Sequence, residues 1–190
     1  DNQRRVFLSE TNFADSRLSP LQQDASFRRY FCIDDGEHGC LLMDAPPETE
    51  NLTAWLEIGN HLNQLGLRAP AVLRSDTDTG FALIEDFGSR TFTRLLDAGE
   101  SHEVLYTQAI DLLIHLHQHP NALLEGLKPY DFQALMDEAL LLPDWFLPLL
   151  SGQPTASQQR ESYQQIWGAV FDSLPTPAIS LVLRDFHVDN

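Results

Sequence analysis

Between Leu18 and Gly88 the apolar residues change period twice, from strand to helix and back to strand, and this order constrains the fold more than any other feature of the chain. Leu18, Leu21 and the run Tyr30-Phe31-Cys32-Ile33 bracket the polar segment from Gln22 to Arg29, which reads as strand, loop, strand. Asp34-Asp35-Gly36-Glu37-His38-Gly39 is a dense turn signal, Cys40-Leu41-Leu42-Met43 resumes a strand, and Pro46-Pro47 stops it. Three antiparallel strands in succession are the simplest account. From Glu48 onward Leu52, Trp55, Leu56, Ile58, Leu62 and Leu65 recur at helical spacing, and Gly66 stands where a C-terminal cap is expected. Ala71-Val72-Leu73 and Phe81-Ala82-Leu83-Ile84 make two more strands around the turn Asp76 to Gly80, ending in Glu85-Asp86-Phe87-Gly88. Ahead of the strands, Val6, Phe7, Leu8 and Phe13 suit a short leading helix.

From Thr91 the pattern is helical. Phe92, Leu95 and Leu96 suit a short helix ending at Gly99, and Val104 to Leu116 suit a long one from an N-cap at Ser101 to about His119. Asp131 to Leu142 is amphipathic, Asp144-Trp145-Phe146-Leu147 starts a short apolar segment, and Ser151 to Gln159 is a polar connector. Tyr163, Ile166, Trp167, Val170 and Phe171 line one face of a last helix before Pro175 and Pro177. His115 and His119 share a helix face and suit a shared metal ion. No acidic or cysteine partner stands at a matching spacing, and histidines that favour the negative end of a helix dipole are the preferred reading. There is no internal repeat, low-complexity tract or flexible linker, and the division into two parts, 1–88 and 89–190, falls near Gly88 to Arg90.

Twelve basic against 28 acidic residues give a net charge of −16, which repels nucleic-acid phosphates and anionic lipid headgroups. Neither is an expected partner; an acidic field slightly favours a cationic substrate. No apolar run is long enough to cross a bilayer, and Asp1-Asn2-Gln3-Arg4-Arg5 is not followed by a signal-like core, so a cytoplasmic protein is the default. Cys32 and Cys40 lie in strand-like sequence and read as reduced packing thiols. Nothing in the sequence fixes an oligomeric state.

The chemistry concentrates in the last residues. The apolar run Ile179 to Leu183 leads into a polar loop with a carboxylate at Asp185 and a carboxamide at Asn190. In phosphoryl transfer of the kinase type, an aspartate orients the attacking hydroxyl and accepts its proton, while a nearby asparagine holds Mg²⁺ against the phosphates. Asp and Asn at this spacing also occur in ordinary polar surface turns.

Arg184-Asp185 with Asn190 resembles the catalytic loop of the aminoglycoside phosphotransferase family, whose fold is that of the protein kinases. Independently, five strands with one helix after the third resemble a kinase small lobe from about Leu18 to Gly88. The resemblance implies an α+β, protein-kinase-like two-lobe fold: a five-stranded antiparallel small lobe with one helix, and a mainly helical large lobe that breaks off within the catalytic loop. It implies ATP and Mg²⁺ as cofactors, Asp185 as catalytic residue, Asn190 as metal ligand, and Arg184 and His187 as loop support or substrate contacts. Asp24 to Tyr30 falls at the phosphate-covering loop, where Ser26, Arg28 and Arg29 are candidate phosphate contacts; the arginines would otherwise be solvated hairpin residues. Glu85 to Gly88 falls at the hinge that holds adenine, with Glu85 and Phe87 as candidates.

Two positions depart from that pattern. Leu183 stands where a histidine is usual, and Met43-Asp44 occupies the region of the strand lysine; Lys128, the one lysine, lies in the helical half. Arg29, and after it Arg28, is the candidate replacement. The segments LMDEALLLPDWFL (135–147), DASFRRYF (24–31) and LLMDAPPE (41–48) resemble the branch containing bacterial cell-wall amino-sugar kinases, which phosphorylate the anomeric hydroxyl of N-acetylmuramate or N-acetylglucosamine. A small-molecule sugar is the expected acceptor. An aminoglycoside-modifying enzyme and a catalytically inactive, nucleotide-binding regulatory module are the competing readings. A kinase fold continues beyond this loop, so the 190 residues are expected to be the first part of a longer protein and to have little activity alone.

Overall fold

The structure, a computed structural model, describes residues 2–22, 26–34 and 39–189. They form two compact units, one running to Ala122 and including the residues from Arg184 onward, the other spanning Leu123–Leu183.

In the first unit, helix α1 (Asn2–Ser9) precedes strands β1 (Arg17–Pro20), β2 (Arg29–Asp34) and β3 (Cys40–Asp44). Helix α2 (Leu52–Gln64) follows, then β4 (Val72–Asp76) and β5 (Phe81–Glu85). The five strands, each at a run read as a strand from sequence, make one antiparallel sheet in the order β1-β2-β3-β5-β4. Because successive side chains of a strand point to opposite faces, the sheet has two cores. On one face Phe31, Ile33, Cys40, Leu42, Phe81 and Leu83 bury Phe7 and Leu8 of α1. On the other, Met43, Ala45, Ala82 and Ile84 pack with Leu52, Trp55 and Leu56 of α2, joined by Tyr30 and Leu41. The register aligns these sets: Phe31 pairs with Leu42 and Leu42 with Leu83. Cys32 and Cys40 are free thiols, Cys40 buried in the first of these cores.

Asp44, at the end of β3, is 5% exposed. Arg4 donates to its Oδ2 from Nε at 2.9 Å and lies over the Phe31 ring, while Arg29 reaches the same oxygen at 3.0 Å from the neighbouring strand. A carboxylate this buried needs paired hydrogen-bond donors. Asp44 therefore fastens α1 to the sheet as well as satisfying its own charge.

Asn51 caps α2 by accepting from the Ala54 N–H, and the helix ends before Gly66, whose φ of +78° suits a residue without Cβ. Helices α3 (Phe92–Asp97) and α4 (His102–Gln118) are capped by Thr91 and Ser101. In the second unit, Asp131 caps α5 (Phe132–Leu141). A π-helical turn, Leu142–Phe146, follows; Pro143, which cannot donate an N–H, accounts for the widened turn. Then come α6 (Leu147–Ser151) and α7 (Ser157–Ser173). Arg160 of α7 clamps Asp144 with two donors at 2.6 and 2.8 Å, and this pairing holds the Asp144 carboxyl below the usual carboxylate range.

The helical half buries less than its periodicity suggests. In α4 only Leu105 and Leu116 are buried, and in α7 no residue is. Phe171 meets Phe132 edge to ring and Trp167 at a tilt of 34°, but Ile166 and Val170 are exposed. The run from Ile179 to Leu183 forms no strand, although Leu181 is buried.

Gly80 closes the β4–β5 turn at φ +79°, and a Cβ there would sit 2.1 Å from the Ala45 carbonyl oxygen, which belongs to the backbone leaving β3. Gly80→Ala should therefore cost about 3 kcal/mol or more, from the left-handed backbone and the forced separation of the two chains. Urea unfolding would show a lower midpoint at unchanged m; a midpoint equal to that of the unsubstituted chain would contradict this close approach.

Candidate active site

Three clusters hold the residues singled out from the sequence. The first is the segment after β5. Glu85 anchors it at both ends: its backbone N–H donates to the Ala71 carbonyl at 2.8 Å, and its carboxylate accepts from the Ala71 N–H and from Arg68. The Ala71 hydrogen bond, followed by the Arg68 pairing, holds the Glu85 carboxyl below the usual carboxylate range. Arg68 also lies 4.7 Å over the ring of Phe87, which is half exposed. The Asp86 N–H donates to the Gly39 carbonyl at 2.8 Å and the Gly88 N–H to the Asp86 side chain at 2.7 Å. Between them, the backbone N–H of Phe87 has no partner among the described residues, the arrangement a hinge needs if it is to hold a heterocycle edge.

The second cluster is the connection between β1 and β2. Arg28 and Arg29 are adjacent, and their side chains leave in opposite directions. Arg29 pairs with Asp44 beside a cavity of about 430 Å³ also lined by Arg4, Pro46, Thr79 and Phe81, on the α1 side of the sheet. Arg28 points to the start of α2, with Nε 3.4 Å from Oε2 of Glu50. Glu50 also accepts from the Phe27 N–H at 3.2 Å. The Ser26 hydroxyl oxygen and Arg28 Nε are both buried. Asp24 and Ala25 lie outside the described residues.

The third is the loop from Arg184 to Asp189. Arg184 has φ 44°, the one positive φ at a non-glycine among the described residues, and strained backbone of this kind gathers at functional loops. The Asp189 N–H donates to His187 Nδ1 at 3.2 Å, which leaves the ring proton on Nε2, and Nε2 faces Asp185 Oδ1 at 3.3 Å. Asp185 is 82% exposed at its side chain, so its carboxylate is open to solvent. The loop is fastened to the first turn of α3: the Thr93 N–H donates to the Val188 carbonyl at 3.1 Å and the Thr93 hydroxyl to Asp189. Asn190 lies outside the described residues.

His115 binds the Leu65 carbonyl through Nε2 at 2.8 Å and its ring lies against His119; among the described residues no cluster of three or more His, Cys, Asp or Glu side chains is placed to hold a metal. Among the described residues, no helix is long and apolar enough to cross a membrane. Sequence reasoning missed Glu50, Arg68 and Thr93. Glu50 carried one signal, its place just before the N-cap of a helix that follows two prolines; the others are ordinary polar residues whose partners are distant in sequence.

The five-stranded antiparallel sheet with a helix after its third strand is the α+β architecture of kinase-like phosphotransferases. Residues 17–190 match the phosphotransferase enzyme family APH, and the chain belongs to that family. It is 36% identical over 176 residues to an N-acetylmuramate/N-acetylglucosamine kinase of Pseudomonas aeruginosa, an alignment covering 92% of this chain and 51% of that protein. Proteins of the same name from Neisseria meningitidis and Pseudomonas putida are 34% and 30% identical, over 93% and 91% of this chain and 53% and 50% of theirs. The chain thus spans about half the length of the curated relatives it matches.

The anchoring of the segment after β5 by Glu85 is testable by pH. A carboxyl held below its ordinary range stabilises the fold above that range, and the contribution is lost as pH falls through the folded-state value. Between about pH 5 and pH 3, the urea midpoint of the unsubstituted protein should fall more steeply than that of Glu85→Gln. Parallel curves would remove Glu85 from the account.

Proposed function

We propose that the complete protein containing this chain transfers the γ-phosphoryl group of ATP to a sugar hydroxyl, with N-acetylmuramate or N-acetylglucosamine as the acceptor class. The observation that carries this reading is the loop geometry: an exposed Asp185 carboxylate faced by the Nε2–H of His187, beside the strained Arg184, in a chain of the phosphotransferase family. The relatives' shared name directs the choice of acceptor.

In this reading the sheet and its helices form a nucleotide-binding lobe, residues 1–88, and residues 89–190 begin a helical second lobe that the complete protein continues. Adenine is held by the backbone at Phe87, with Glu85 and Arg68 fixing that segment. Ser26, Arg28 and Arg29 are the candidates for the phosphates. Asp185 orients the acceptor hydroxyl and takes its proton as the bond to phosphorus forms, while His187 restricts the carboxylate to one geometry and Arg184 sets the backbone turn that presents it. Mg²⁺ binds through few protein oxygens together with phosphates and water, so a site of one or two side chains suits it, and no preformed cluster is required. Asn190 would be such a ligand. Bound there, Mg²⁺ would neutralise charge on the transferring group. ATP as phosphoryl donor and the acidic overall charge agree with a cytoplasmic enzyme that binds neither nucleic acid nor membrane.

The leading alternative, an inactive regulatory module, is motivated by the absence of a strand lysine near Met43 and by Leu183. One experiment separates the two. In the complete protein, ADP release from Mg²⁺·ATP should depend on an amino-sugar acceptor. Asp185→Ala should lower kcat by about 10³-fold or more while ATP affinity changes less than about threefold. Acceptor-dependent turnover surviving in Asp185→Ala would remove the aspartate from catalysis; nucleotide binding without turnover for any amino sugar or aminoglycoside would favour the regulatory module.

A further inference from the structure

The two arginines at the entry to β2 are adjacent in sequence, yet their side chains pair with carboxylates on opposite faces of the sheet, Arg28 with Glu50 and Arg29 with Asp44. Tyr30 and Met43 belong to the core that faces α2, whereas Phe31, Leu42 and Phe81 face α1. Arg29 follows the second set: it pairs with Asp44, which also binds Arg4 of α1. Arg28, two residues before Tyr30, follows the first and meets Glu50 at the entrance to α2. In protein kinases the cation that holds the nucleotide phosphates sits on the third strand and is paired with a glutamate of the helix that follows it. On the α2 face of this sheet the third strand offers Met43, an apolar residue buried in the core. The sequence-based preference for Arg29 thus meets an arginine already bound to a buried carboxylate on the other face.

We propose that Arg28 is the phosphate-binding cation of this lobe and that Glu50, ahead of α2, is the positioning residue that holds it, a pair that replaces the strand lysine and helix glutamate of the kinases. This rests on the phosphotransferase reading given above and names the residues of that same site. The shape of the guanidinium permits both contacts at once. Its Nε is buried and turned toward Oε2 of Glu50, while the side chain as a whole is 32% exposed, so its exposed part lies elsewhere than Nε. Among the described residues, the two terminal nitrogens have no partner. Those nitrogens form the edge that binds phosphate oxygens in a bidentate manner, whereas a lysine offers a single point charge. Glu50 acts on the loop as well as on the charge, because its other oxygen accepts from the Phe27 N–H. One carboxylate therefore fixes the backbone of the phosphate-covering loop and the direction of its cation.

The test is the affinity that phosphates add to a nucleoside. In the complete protein, ADP and adenosine are titrated calorimetrically against the unsubstituted form, Arg28→Met, Arg28→Lys, Arg29→Met, Glu50→Gln and the double variant Arg28→Met/Glu50→Gln. Arg28→Met should weaken ADP by about 10-fold or more and adenosine by less than about twofold, the loss of a charge-assisted bidentate contact. Glu50→Gln, which keeps an acceptor for Phe27 but removes the charge, should weaken ADP by about three- to tenfold, and should have no further effect once Arg28 is methionine. A full ADP preference retained in Arg28→Met, or lost in Arg29→Met instead, overturns the assignment of Arg28. An equal effect of Glu50→Gln in both backgrounds overturns its role as positioning residue. If Arg28→Met loses adenosine as well, Arg28→Lys decides, since it keeps the charge and should retain part of the ADP preference; its complete loss there overturns the proposal. Should the unsubstituted protein not distinguish ADP from adenosine, the phosphotransferase reading itself falls, and this inference with it.

Discussion

The pleat of the five-stranded sheet commits each side chain to one of two faces, and most of what can be said about the chain follows from which face a residue is given. One face is closed by α1 through Phe7 and Leu8, the other by α2 through Leu52, Trp55 and Leu56. Each core depends on the register across β2, β3 and β5, because a slip of one residue would exchange the two sets. Asp44 marks how closely the register is specified: a buried carboxylate, it is acceptable only where Arg4 and Arg29 both reach it.

That dependence explains why the small unit was legible from its sequence. Alternating apolar residues, the glycines at 66 and 80 and the proline pair at 46 and 47 are local signals, and each marked the element or turn that the structure shows. The caps at Ser101 and the helical period from Leu52 to Leu65 were legible for the same reason. Burial in the helical half was not, because periodicity announces an apolar face without saying what covers it. Ile110, Ile114 and Ile166 satisfy the helical pattern and are exposed. The π-helical turn at Pro143 was legible only as an apolar segment, since the widening depends on how one helix yields to the next.

At the site, sequence identified the residue types and left the pairings open. Asp185 and His187 were evident as a loop motif, but the orientation of the ring follows from the Asp189 N–H bound to Nδ1. Thr93 and Arg68 are polar residues without a motif, and they fix the two segments on which the proposed chemistry relies. From sequence, Arg29 ranked ahead of Arg28 as the phosphate-binding candidate; the alternation of strand side chains separates them, one to Glu50 and the other to Asp44. The chain spans about half the length of the curated relatives it matches.

The most direct test of the account is to find where the phosphoryl group goes. With the complete protein, Mg²⁺·ATP and N-acetylmuramate, phosphorus NMR of the reaction mixture should show a new phosphate monoester signal coupled to the anomeric proton of the sugar, together with ADP. ATP that is bound but yields no sugar phosphate from N-acetylmuramate or N-acetylglucosamine, or a phosphoester formed only on an aminoglycoside, would contradict it.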